Sequence, residues 1–236
     1  MKKYEVIFKA LEKQIINNQY KVGDYLPTEK ELTDSYQVSR DTIRKALQLL
    51  TEAGYIRKIH GSGSQIIKHD QINFPVSELT SYQELVQQQG LQSKTNVIAI
   101  DKLIVDEKMA NLTGFEANKI IWRVIRQRVV DNVASVLDID YLDKALVPQM
   151  SREISEHSIY DYLEKQLHLD IAYAKKEITI DQINDRDKLL LDLGNEHHLV
   201  SVKSKVYLAN NQQFQFTESR HKLEKFKFVD FARRKK

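Results

Sequence analysis

The chain has 236 residues, with 36 Lys and Arg against 33 Asp and Glu, 7 His and no cysteine. The missing cysteines exclude a disulfide scaffold and a thiolate metal site, and no apolar run is long enough for a bilayer span or a signal peptide, so a soluble cytoplasmic protein of two domains is expected. Residues 1–68 hold 12 Lys and Arg against 8 Asp and Glu, which puts the whole basic surplus at the N-terminal end, where a polyanion would need it.

Ile7, Phe8, Leu11 and Ile15 recur at helical spacing between Tyr4 and Asn17, and Gly23-Asp24 breaks the pattern. Thr28, behind Pro27, stands three residues before Glu31 and predicts a capping box, with Leu32 and Tyr36 facing inward. Ser39 caps a further helix in which Ile43, Ala46, Leu47 and Leu50 form one apolar stripe, and Gly54 supplies its stop. Residues 55–60 alternate like a strand and lead to a Gly61-Ser62-Gly63 tip. Residues 1–68 therefore read as a winged helix-turn-helix for double-stranded operator DNA. A major groove admits one helix whose first turns reach base edges, and arginine pairs bidentately with guanine, so Arg40 and Arg44 are the expected base readers. Thr28, Lys30, Lys45, Gly61, Ser62 and Gly63 are expected at phosphates, with Ser39, Asp41, Thr42 and His60 completing the DNA-contacting set. Any one of these arginines could equally belong to a solvated face; the full order of cap, turn, second cap and Gly-tipped wing is what carries the reading.

Residues 69–76 lose periodicity around Pro75 and form the expected linker, leaving 77–236 as a second domain. There the pattern predicts a helix at 81–88, a strand at 96–100, a helix at 106–112 and a hairpin over 120–141 turning at Asp131-Asn132. A helix at 158–167, an extended run at 175–183 and a helix at 185–193 follow, then a hairpin over 199–221 turning at Asn210-Asn211 and a last strand at 225–231. The economical assembly is α+β, an antiparallel sheet with flanking helices.

The motifs LPTEKEL (26–32), SRDTIRKAL (39–47) and GYIRKIHGSG (54–63), followed by FPVSELTSY (74–82), SIYDYL (158–163) and FQFTESRHKLEKFKFVDFARR (214–234), resemble the GntR family of regulators carrying a UTRA effector domain. The resemblance spans nearly the whole chain and implies a chorismate-lyase-like second domain. Its last motif is similar to members that control trehalose uptake and utilisation. It implies a homodimeric, effector-released repressor with no cofactor, no metal and no membrane partner, whose effector is a small phosphosugar, trehalose 6-phosphate first among them. Another phosphosugar or a small carboxylate is the alternative effector.

Arg126 and Arg128 alternate on one strand, which permits a paired guanidinium clamp on a phosphate, and Ser158 and Tyr160 open a helix, where free amides favour an anion. By resemblance all four match phosphate-binding positions, Ser81 and Tyr82 match a loop that closes over the ligand, and Asp138 and Gln215 match sugar-contacting positions. Gln215 stands where amino-sugar-phosphate relatives carry an acid, and His221 where they carry an aromatic ring. Asp138, Gln215, Glu218, Arg220 and His221 lie on the two hairpins expected to line the pocket; Glu218 and Arg220 could instead pair with each other. An enzyme of the chorismate lyase fold is the rival class, but the chain has no nucleophile elbow, no metal-spaced His/Asp cluster and no phosphate-cradling glycine loop, and His197-His198 reads as surface.

Overall fold

The computed structural model describes residues 2–16, 19–59, 61–67, 72–74 and 79–228; His60 and most of the expected 69–76 linker lie outside them, as does the tail from 229. The chain divides into two units, Met1–Ile72 with Gln87–Gly90, and Asn73–Val86 with Leu91–Lys236. No helix among the described residues is long and apolar enough to cross a membrane.

The first unit contains α1 (Lys3–Ile16), α2 (Glu29–Tyr36), α3 (Arg40–Glu52) and a hairpin of β1 (Ile56–Ile59) and β2 (Gly63–Ile66). The capping box forms as its spacing predicts: the Glu31 amide donates to Thr28 Oγ1 at 3.2 Å and the Glu31 carboxylate accepts the Thr28 amide at 2.7 Å. Gln37, with φ of 49°, closes α2, and Ser39 Oγ accepts the Thr42 amide at 3.3 Å to open α3. Gly54, at φ 79°, turns the chain out of α3 in the left-handed region that glycine enters without steric cost. Ile7 and Leu11, Leu32, and the stripe Ile43, Ala46, Leu47 and Leu50 pack with Tyr55, Ile56 and Ile66 into one core, while Phe8, Ile15 and Tyr36 line its margin. The stretch before α2 lies along the hairpin, the Leu26 amide bonding the Ser64 carbonyl at 2.9 Å and the Ile66 amide the Asp24 carbonyl at 2.8 Å.

In the second unit a six-stranded antiparallel sheet runs β4-β5-β6-β9-β8-β7. These strands are β4 (Ser93–Ile104), β5 (Ile120–Val130), β6 (Val133–Asp143), β7 (Ile171–Gln182), β8 (His198–Leu208) and β9 (Gln213–Lys222). The two predicted hairpins form, and they join through β6 and β9 at the centre of the sheet. Asp131 and Asn132 both take positive φ, 50° and 64°, the geometry of a two-residue hairpin turn. One face of the sheet packs Trp122, Val124, Leu142 and Val206 against Ile159, Tyr162 and Leu163. Those last three belong to α7 (Ile159–Asp161) and the π-helical turn Tyr162–Gln166, which follow α6 (Arg152–Glu156). The other face is covered by α5 (Glu107–Thr113) and α8 (Asp185–Leu190), over Phe216 and Ile121 and over Ile125, Leu137, Ile139 and Leu199.

Three elements depart from expectation. The 96–100 strand is the middle of a twelve-residue one, β4. Helix α8 stops at Leu190 because Leu191 and Leu193 are drawn into the core, Leu191 with extended backbone. Helix α6, capped by Ser151, was not expected at all. At the entrance to this unit β3 (Ile72–Asn73) is followed by Phe74, whose amide donates to the Lys227 carbonyl at 2.9 Å in β10 (Phe226–Lys227); residues 229–231 of the expected last strand lie outside the described residues.

Candidate functional site

Two surfaces gather the predicted residues. On the first unit, Arg40, Asp41, Arg44 and Lys45 project from the first turns of α3, and all four are exposed. Arg44 Nε lies 2.9 Å from Glu29 and Lys45 Nζ 3.0 Å from Asp41, surface pairs that are worth little. Arg40 makes no ion pair among the described residues. Ser39 and Thr42 share a hydrogen bond of 2.9 Å at the start of the helix, Lys30 is exposed on α2, and Gly61, Ser62 and Gly63 form the exposed wing tip. His60 lies outside the described residues.

On the second unit a cavity of about 170 Å³ opens on the sheet face beneath α4 (Tyr82–Gln89) and α7. Its floor is made by alternate residues of neighbouring strands: Arg126 and Arg128 from β5, Asp138 and Asp140 from β6, Gln215, Thr217, Ser219 and His221 from β9, and Val202, Ser204 and Val206 from β8. Arg126 stands opposite Asp138 in the register, yet the ion pairs run diagonally, Arg126 Nη2 to Asp140 at 2.6 Å and Arg128 Nε to Asp138 at 2.9 Å. Arg128 also donates to Thr95, and the Tyr82 ring covers its guanidinium at 4.2 Å. Asp140 accepts from Gln215 Nε2 at 2.9 Å and Thr217 Oγ1 at 2.8 Å, and Ser219 donates to Asp138.

The floor is thus charged but internally compensated. Burial opposes ionisation of Asp138, but Arg128 and Arg126, with the hydrogen bonds from Ser219 and Arg128, outweigh it and hold its carboxyl below the usual carboxylate range. Burial and the neighbouring Arg126 lower Arg128. Burial pushes the Tyr82 phenol up to about 12, with its hydroxyl 2.7 Å from Ser93, and raises Tyr160 as well. His221 is driven down to about 4 by burial and is neutral at pH 7. Three buried polar atoms of this floor have no hydrogen-bond partner among the described residues: Arg126 Nε, Gln215 Oε1 and His221 Nδ1. Such groups are costly unless a bound molecule satisfies them, so the cavity suits a ligand rich in groups that both donate and accept hydrogen bonds, as sugar hydroxyls do.

Of the predicted effector residues, Ser81, Tyr82, Arg126, Arg128, Asp138, Ser158, Tyr160, Gln215 and His221 line the cavity. Ser81 and Ser158 also act as helix caps, accepting the amides of Glu84 and Asp161 at 3.2 Å. Glu218 and Arg220 do not line it. Successive residues of a strand point to opposite faces, so these two leave by the other side of β9. There Arg220 holds the fully buried Asp187 through Nε at 2.8 Å and Nη2 at 2.7 Å, and reaches Glu218 at 3.0 Å. Asp140, Thr217, Ser219 and Phe74 were missed. A strict two-residue step from Asp138 and from Gln215 would have found the first three. No group of three or more His, Asp or Glu among the described residues is arranged to hold a metal ion.

Residues 3–66 match the gntR family of bacterial regulatory proteins and residues 88–227 match the UTRA domain. The HTH-type transcriptional regulator TreR of Bacillus subtilis (strain 168) is 44% identical over 239 residues, covering 99% of this chain and 98% of that protein. The structure of the B. subtilis trehalose repressor (TreR) effector binding domain is similar to this chain at a TM-score of 0.56 and 43% identity, over 61% of this chain and 99% of that one. A possible transcriptional regulator, YydK from Bacillus subtilis subsp. subtilis str. 168, is similar along 99% of this chain and 100% of its own at a TM-score of 0.60 and 28% identity.

Proposed function

The chain belongs to the GntR family of bacterial regulatory proteins, with a UTRA domain behind its winged helix, and from that footing we propose that it represses trehalose uptake and utilisation genes and is released from their operator by trehalose 6-phosphate. It is a transcriptional regulator, not an enzyme. What carries the reading is the cavity floor, where two guanidinium groups, two carboxylates, an amide and an imidazole line one space, in a chain 43% identical to the effector binding domain of the B. subtilis trehalose repressor (TreR). Arginine suits the phosphate and the carboxylate and amide groups suit sugar hydroxyls.

Two copies on a twofold axis would present two α3 helices to a palindromic operator. Trehalose 6-phosphate then favours a dimer geometry that cannot straddle both half-sites, and it releases DNA only by as much as it prefers that geometry. The test is calorimetric titration of the full chain with trehalose 6-phosphate, with free trehalose and N-acetylglucosamine 6-phosphate as controls. Binding of the first alone at micromolar concentration is expected; heat from a control alone, or from none of the three, refutes the assignment.

A further inference from the structure

Phe74 follows the last residue of the N-terminal segment, Ile72, by two positions, and its side chain is part of the cavity wall. It is fixed at several points. Its amide donates to Lys227, its ring stands edge-on to the His221 imidazole with centroids 4.2 Å apart, and it stacks on Phe226 at 5.1 Å. His221 and Phe226 are themselves 5.1 Å apart, so the three rings form one cluster. His221 is 2% exposed, and its Nδ1 has no hydrogen-bond partner among the described residues. Six residues back along β9, at the other end of the cavity floor, Gln215 Oε1 is also buried without a hydrogen-bond partner among the described residues. A ligand hydroxyl that bonds Nδ1 would set the plane of the imidazole, and in a close-packed contact the ring resting on that imidazole must follow.

We propose that His221 and Phe74 form the relay that passes occupancy of the cavity to the DNA-binding unit: the ligand orients His221, His221 positions the Phe74 ring, and Phe74 positions the chain arriving from the winged helix. The inference rests on the functional reading above. Phe74 also lines the cavity, where an aromatic ring can stack on a sugar face, so its part in the relay is read at saturating effector, where affinity does not enter the release factor.

The test compares the full-length chain with Phe74→Leu and Phe74→Tyr, measuring trehalose 6-phosphate affinity by calorimetry and operator release by fluorescence anisotropy on DNA selected with the unaltered chain. Ordinary allosteric couplings change affinity by about 5- to 150-fold. At effector concentrations that saturate each variant, as calorimetry establishes, the release factor of Phe74→Leu should fall below about threefold, which separates loss of coupling from any change in affinity. Phe74→Tyr keeps the ring and should keep the release factor, which separates loss of the contact from loss of the fold. Undiminished release by Phe74→Leu overturns the relay, as does a loss of release that only tracks weaker effector binding. If the unaltered chain fails to bind trehalose 6-phosphate, the functional reading falls and the relay falls with it.

Discussion

Arg126 and Arg220 are both buried against carboxylates, on opposite faces of one sheet, and they are expected to behave differently when removed. Arg220→Ala leaves the fully buried Asp187 without its bidentate partner, and breaking such a pair costs about 3–5 kcal/mol. A chemical-denaturation midpoint should register that loss, while the folded fraction keeps its effector affinity. Arg126→Ala should lose both, because it strands Asp140 and opens the cavity floor; equal effector affinities for the two variants would remove Arg126 from the site. His221 gives a pH dependence of definite sign. Its folded value near 4 lies below the unfolded value of about 6.5, so between them the unfolded chain binds more protons. The stability that His221 contributes is fully present above about pH 6.5 and drains away as pH falls toward 4, by at most about 1.4 kcal/mol per pH unit. Denaturation of His221→Phe at pH 7 and pH 5 should show a smaller difference than the unaltered chain does, and an equal difference would refute the assignment. Residue chemistry was legible here only in part: Ser81, Tyr82, Arg126, Arg128, Asp138, Ser158, Tyr160, Gln215 and His221 do line one cavity, but Glu218 and Arg220 were counted with residues one step away that face the opposite side.

Helix starts and hairpin turns were the most readable elements, since the signals that make them are a few residues wide. Thr28 with Glu31 and Ser39 with Thr42 form the caps their spacing predicts, and Asp131-Asn132 forms the predicted turn. Ser39→Ala should lower stability by about 1 kcal/mol, because the Thr42 amide loses its acceptor, and thermal melting reads it directly. Boundaries were less legible. Leu191 and Leu193 continue the helical pattern of α8 on paper but leave the helix to fill the core over β6 and β8. The π-helical turn at Tyr162–Gln166 follows from packing of Tyr162 and Leu163 under the sheet and has no sequence signature of its own.

For the whole molecule, the separation of a basic winged helix from a compensated pocket divides the work: one unit meets phosphates, the other a small ligand. Operator affinity should fall steeply with salt as phosphate contacts release counterions, and if Lys30 meets a phosphate as proposed, the slope on a logarithmic plot should shrink by about 1 when it is removed. Arg40→Ala should instead relax base preference at one position of each half-site, which binding to a panel of single-base operator variants measures; a uniform loss across the panel would move Arg40 to the backbone-contacting set. The winged helix, the order of strands along the chain and the two long hairpins were determined by the sequence alone, because caps, turn residues and periods of 3.6 and 2 are local properties. Which carboxylate neutralises which arginine, and which residues of β9 share their cavity, only the tertiary structure decided. Those answers depend on β6 pairing with β9, which sets Gln215 beside Asp140 across 75 residues of chain, and no local pattern encodes a register between strands so far apart.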